Sequence, residues 1–198
     1  MAKEDRNGCL HSEANGRFIR KTDAEKRKDA EKIYNTHGHL EETSRKLAYG
    51  MRQPRTRILT LSEIETIKEH AKELGISENI LKFNKGYRTS FDEESGCILI
   101  RGDILPDNNS DIAGDRLTVR AVLAHEYYGH YMHHPSEYEI GDWRDEYRAS
   151  REAALKAPNL SQEERACLML DAYDRQKSAG VFQGYDKIAK EIIYGKQD

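Results

Sequence analysis

The sequence predicts an α+β fold, mostly helical, with a small antiparallel sheet ahead of the helices that carry the chemistry. Three observations lead there. A Ser or Thr followed three residues later by Glu, the pattern that caps a helix start, recurs at Thr22, Ser62 and Ser161. One stretch, residues 88–100, holds short β-prone runs on either side of a polar turn. The chain of 198 residues has no internal repeat and no apolar run long enough to span a bilayer, so its helices pack on a modest core.

The elements follow in chain order. Residues 1–20 show no periodicity and contain two turn signals, Asn7-Gly8 and Asn15-Gly16, so they read as a flexible lead. Thr22-Asp23-Ala24-Glu25 opens a charged helix to about Tyr34, and a second is expected from Leu40 to Tyr49, stopped by Gly50. Ser62-Glu63-Ile64-Glu65 opens a helix that ends near Leu74-Gly75. Arg88–Phe91 and Cys97–Ile100, with Asp92–Gly96 between them, form a hairpin. Asp115 is the expected cap of a helix from Arg116 to about His133, which ends before Pro135. Asp142 caps another from Trp143 to Leu155, closed before Pro158. Ser161 caps the next, with Gly180 just past its end, and a last helix covers Tyr185 to Tyr194.

Composition narrows the functional classes. Charged residues make up 34% against 37% hydrophobic, and the net charge of −3 provides no global field for nucleic acid. The charge is uneven: residues 1–60 carry 14 Lys and Arg against 9 Asp and Glu, and the remainder carries 18 against 26. A basic segment at 21–60 therefore reads as a solvated helical face, with a nucleic-acid arm as the less favoured meaning. Cys9, Cys97 and Cys167 are odd in number and widely spaced, as free thiols of a reducing compartment would be. The opening Met1-Ala2-Lys3-Glu4-Asp5-Arg6 is charged and is not expected to be a secretory signal, which points to the cytoplasm.

The chemistry concentrates in His125-Glu126-Tyr127-Tyr128-Gly129-His130. Two imidazoles on one helix can bind zinc, which lowers the pKa of its water to roughly 7. A glutamate beside the first histidine can then take the proton as that water attacks a carbonyl. The spacing, HExxxH, is one residue longer than the familiar HExxH. Histidines four apart lie about 40° round a regular helix, whereas five apart they lie about 140° round it. A π-bulge would bring them back together, and Gly129 is the natural place for it. The alternative pair His130 and His134 has the regular four-residue step, but no glutamate follows His130.

HExxGH resembles the zinc motif of the dipeptidyl peptidase III family, whose histidines have the same five-residue step. That family's second motif reads Glu-Glu-Cys-Arg-Ala-Glu, and Asp145-Glu146-Tyr147-Arg148-Ala149-Ser150 is similar to it. The resemblance covers about a sixth of the chain. It implies zinc ligation by His125, His130 and Glu146, with Glu126 as general base and Asp145 orienting a ligand imidazole. Asp, Tyr and Ser replace the family's Glu, Cys and final Glu, and the family's enzymes are several times longer. The implied class is a small zincin with a glutamate ligand, occupying residues 61–198. The compact arrangement also resembles peptidase domains of bacterial or phage effector proteins, which implies a place in a larger protein.

The residues alone leave some assignments open. Glu137, Glu139, Asp142 and Glu152 also lie within reach of a returning helix. Glu152 is six residues beyond Glu146, about 9 Å along the helix, so only one of the two can meet the same metal. Tyr138, Tyr147, Arg148 and Arg151 lie where an oxyanion donor would be useful, or are simply polar surface groups. The expected function is a zinc metallopeptidase acting on a peptide or protein, with no membrane partner. A zinc hydrolase of another bond, or a nucleic-acid or protein-binding module with metal-free histidines, are the competing readings.

Overall fold

The computed structural model describes residues 57–195, apart from 108, 109, 111 and 140, and the backbone of three short strands nearer the start. Its contacts divide the chain into two units, Met1–Leu40 and Glu41–Asp198. In the first, β1 (Ala2–Glu4), β2 (Leu10–Ser12) and β3 (Phe18–Ile19) pair antiparallel in the order β1-β2-β3. The sequence reading made this stretch a flexible lead. Strands of two or three residues are too short to show an alternating pattern. The helices expected at 22–34 and 40–49 lie outside the described residues.

The second unit is α+β and mostly helical, as the sequence predicts. Helix α1 (Leu61–Glu73) is opened by Thr60, not Ser62. Thr60 Oγ1 accepts from Glu63 N–H at 3.3 Å, and Glu63 Oε2 accepts from Thr60 N–H at 2.8 Å. Strands β4 (Leu81–Phe83), β5 (Ser90–Asp92) and β6 (Cys97–Ile100) follow, in the order β4-β6-β5. β5 and β6 form the expected hairpin, with Phe91 opposite Ile98. The sheet is mixed, however, because β4 pairs parallel to β6. A parallel pair needs a crossover of about a dozen residues, and 84–96, including β5, provide it.

Helix α2 (Val119–Ala124) starts later than expected and is capped by Thr118, whose hydroxyl accepts from Ala121 N–H at 3.2 Å. Asp115 instead lies in a buried 3₁₀ turn, where Ser110 Oγ donates to it at 2.6 Å. α2 continues as a π-helical turn, His125–His130, and then a 3₁₀ turn, Tyr131–His133. α3 (Trp143–Lys156) is capped by Asp142, α4 (Gln162–Ser178) by Ser161, and α5 (Lys187–Tyr194) by Asp186. The core joins Ile67 of α1 and Leu74 at its C-cap, Ile98 and Ile100 of β6, Leu123 of α2, and Leu168 and Met169 of α4. No helix among the described residues is long and apolar enough to cross a membrane.

Glu164 fixes α2 against α4. Its Oε1 accepts from Thr118 Oγ1 at 2.7 Å, and its Oε2 accepts from Arg120 Nη2 at 2.6 Å and Ser161 N–H at 2.8 Å. Burial opposes its ionisation, but Arg120, Thr118 and Ser161 hold its pKa down to about 2. Glu164→Gln is expected to lower stability by about 1.5–3 kcal/mol at neutral pH, the range for hydrogen bonds to a charged group. A carboxyl with a depressed folded-state pKa contributes stability that is present above its unfolded value, about 4.5, and is lost as pH falls towards 2. Urea unfolding of both proteins should therefore show a difference that shrinks with acidification below about pH 4.5. A difference unchanged at low pH would remove the charge from this account.

Candidate metal centre

The π turn solves the spacing problem posed by the two histidines. Tyr131 N–H donates to Glu126 O, five residues back, as well as to Tyr127 O. The widened turn brings His125 and His130 onto one face, with their Nε2 atoms 3.1 Å apart. Gly129 is needed here for a close approach. A Cβ at this position would lie 2.6 Å from Ala149 O and 2.7 Å from Ala149 Cα, on α3. The absence of a side chain lets α3 come close enough to bring in Glu146.

Glu146 Oε2 lies 3.4 Å from His125 Nε2, and its Oε1 lies 3.9 Å from His130 Nε2. One ligand atom from each of the three residues fits within 4.8 Å of the others, and all three side chains are buried. This cluster can hold a metal ion. Glu126, also buried, is anchored from the sheet: Phe91 N–H, on edge strand β5, donates to its Oε2 at 2.7 Å. Its negative charge contributes to the upward shifts of His130 and Arg175.

A second layer of groups surrounds these. Asp145 Oδ2 lies 3.0 Å from His130 Nδ1. Its Oδ1 accepts from Ser136 Oγ at 2.8 Å and Arg148 Nη2 at 2.5 Å. Arg148 also donates to Gly129 O at 2.7 Å, tying α3 to the π turn. Arg175, on α4, lies 3.7 Å from Glu146 Oε2. Ser150 Oγ is 2.9 Å from His125 Nδ1 and donates to Asp171 Oδ2 at 2.6 Å.

The electrostatics favour a cation. Burial works against charge on Glu146, yet Arg175 and the two histidines hold its pKa well below the usual carboxylate range. Asp145 is held down to about 2, against the cost of burial, by His130 and Arg148. Burial lowers the His130 pKa, but Asp145, Glu146 and Glu126 overcome it and raise the net value. Asp145 pairs with Arg148, and Glu146 and Asp171 share Arg175, so these three buried carboxylates outnumber their two guanidiniums, a balance that suits a cation. Imidazole nitrogen and carboxylate oxygen also suit such an ion.

The competing ligands are placed elsewhere. His134 is exposed, with Nδ1 3.0 Å from Glu93 Oε1, so it does not pair with His130. Glu152 lies 3.5 Å from His133 Nε2 and 2.5 Å from Lys156 Nζ. Asp142 caps α3, and Glu137 and Glu139 are exposed. Tyr138 packs under Arg144, Tyr147 packs on Tyr173, and Arg151 pairs with Asp186 at 2.8 Å. Ser150, Asp171 and Arg175 escaped the sequence reading. The one available signal was the four-residue step from Glu146 to Ser150, which puts both on one face of α3. Cys97 and Cys167 are free thiols away from this cluster. Compared with family models, curated proteins and solved structures, the chain matches none.

Proposed function

We propose that the chain is a zinc-dependent hydrolase, specifically a metallopeptidase, with His125, His130 and Glu146 as ligands and Glu126 as general base. The convergence of an imidazole nitrogen from each histidine and the Glu146 carboxylate, all from buried side chains, carries this reading. Zinc bound there would polarise a carbonyl and lower the pKa of its water to roughly 7. Glu126 stands beside the first ligand with one oxygen held by Phe91 N–H. From there it takes the proton of the attacking water and delivers it to the departing amine. A peptide is the favoured substrate because the base is anchored to an edge strand, the element along which an extended chain aligns.

The reading is tested on untagged full-length protein. About one zinc per chain is expected, as is cleavage of a mixed peptide library that stops with a chelator and returns with zinc. Zinc bound without peptide cleavage would overturn the peptidase assignment. Protein that binds no zinc would overturn the hydrolase as well.

A further inference from the structure

The candidate ligands come from the π turn and α3, but α4 reaches the site from behind. Ser150 is fully buried one turn beyond Glu146, and its hydroxyl donates to Asp171 Oδ2 at 2.6 Å. A serine hydroxyl carries a single proton. With that proton committed to Asp171, Ser150 Oγ can only accept from His125 Nδ1, 2.9 Å away. His125 Nδ1 must then bear the imidazole proton. The lone pair falls on Nε2, the atom that faces His130 and Glu146. Asp171 is in turn held by Arg175, whose Nη2 is 3.4 Å from both of its oxygens and 3.7 Å from Glu146 Oε2. One buried guanidinium therefore touches both the hydrogen-bond relay and a ligand carboxylate.

We propose that Ser150 and Asp171 are positioning residues of the metal centre: they hold His125 as its Nδ1–H tautomer, and Arg175 joins that relay to Glu146. The proposal rests on the reading that His125, His130 and Glu146 bind a metal. A neutral imidazole can ligate only through the nitrogen that lacks the proton, and the partner of the other nitrogen decides which that is. If Ser150 were simply a small residue filling the contact between α3 and α4, alanine would replace it with no consequence at His125. Alanine is also the better helix former, so the substitution leaves α3 intact.

Two measurements on the full chain test the proposal. Nitrogen NMR of labelled histidines in the metal-free protein should report His125 as Nδ1–H, shifting towards Nε2–H in Ser150→Ala. Zinc affinity, read by competition with a chelator, should fall about 10–100-fold in Ser150→Ala, fall also in Asp171→Asn, and recover in Ser150→Thr, which restores the hydroxyl. A wild-type His125 in the Nε2–H form, or zinc held by Ser150→Ala within about twofold of wild type, overturns the relay alone. A wild-type chain that holds no zinc overturns the metal reading and the relay with it. The tautomer measurement needs no metal, so it decides the proposal even where a variant folds poorly.

Discussion

Glu126→Gln is expected to reduce peptide hydrolysis by about 10²–10⁴-fold while leaving zinc bound. Glu126 is not one of the three residues whose donor atoms converge, so its charge is not needed to hold the ion. Its position is fixed by the Phe91 N–H, 2.7 Å from Oε2, and the glutamine oxygen can accept that same hydrogen bond. The substitution therefore preserves shape and anchorage and removes only the basic oxygen. The expected signature is a fall in kcat with unchanged zinc stoichiometry and an unchanged unfolding midpoint. Zinc lost in parallel with activity would mean that Glu126 is a ligand, and the roles assigned to Glu126 and Glu146 would have to be exchanged.

What was legible in the sequence was what local chemistry decides. The five-residue step between His125 and His130 called for a bulge, and the π turn spans those residues. Asp142 and Ser161 cap their helices as read, because each accepts from N–H groups only two or three residues ahead. Where two candidate caps stood close together, the nearer reading failed. Thr60 displaced Ser62, and Thr118 displaced Asp115, since Glu164 of a distant helix accepts from the Thr118 hydroxyl. β4 was missed because a three-residue strand carries no period and its parallel partner, β6, is not its neighbour in the chain. Asp171 and Arg175 were missed for a related reason: they form an i, i+4 ion pair on α4, and nothing in the sequence connects that pair to His125 or Glu146. They acquire a role only when α4 folds back on α3 and places them behind His125 and Glu146.

Removing the ligands should produce the second large effect, and should separate Glu146 from its competitors. His125→Ala, His130→Ala and Glu146→Ala are each expected to abolish stoichiometric zinc binding, whereas Glu152→Ala and His134→Ala should keep it. The basis is geometric: Glu152 is paired with His133 and Lys156, and His134 with Glu93. A ligand that binds only the folded state raises stability by about 2.7 kcal/mol at a hundredfold excess over its Kd, so the zinc-dependent rise in Tm should vanish in the three ligand variants. Glu146→Ala should differ from the two histidine variants in the absence of zinc. It strips a carboxylate from beside the buried Arg175, and leaving a buried charge short of its partner costs about 3–5 kcal/mol. Asp171 remains within 3.4 Å of the same guanidinium and offsets part of that loss. The metal-free Glu146→Ala protein should therefore unfold at lower temperature than metal-free His125→Ala. Zinc retained by Glu146→Ala, or lost from Glu152→Ala, would move the third ligand along α3 and leave the Glu146–Arg175 contact as a structural ion pair.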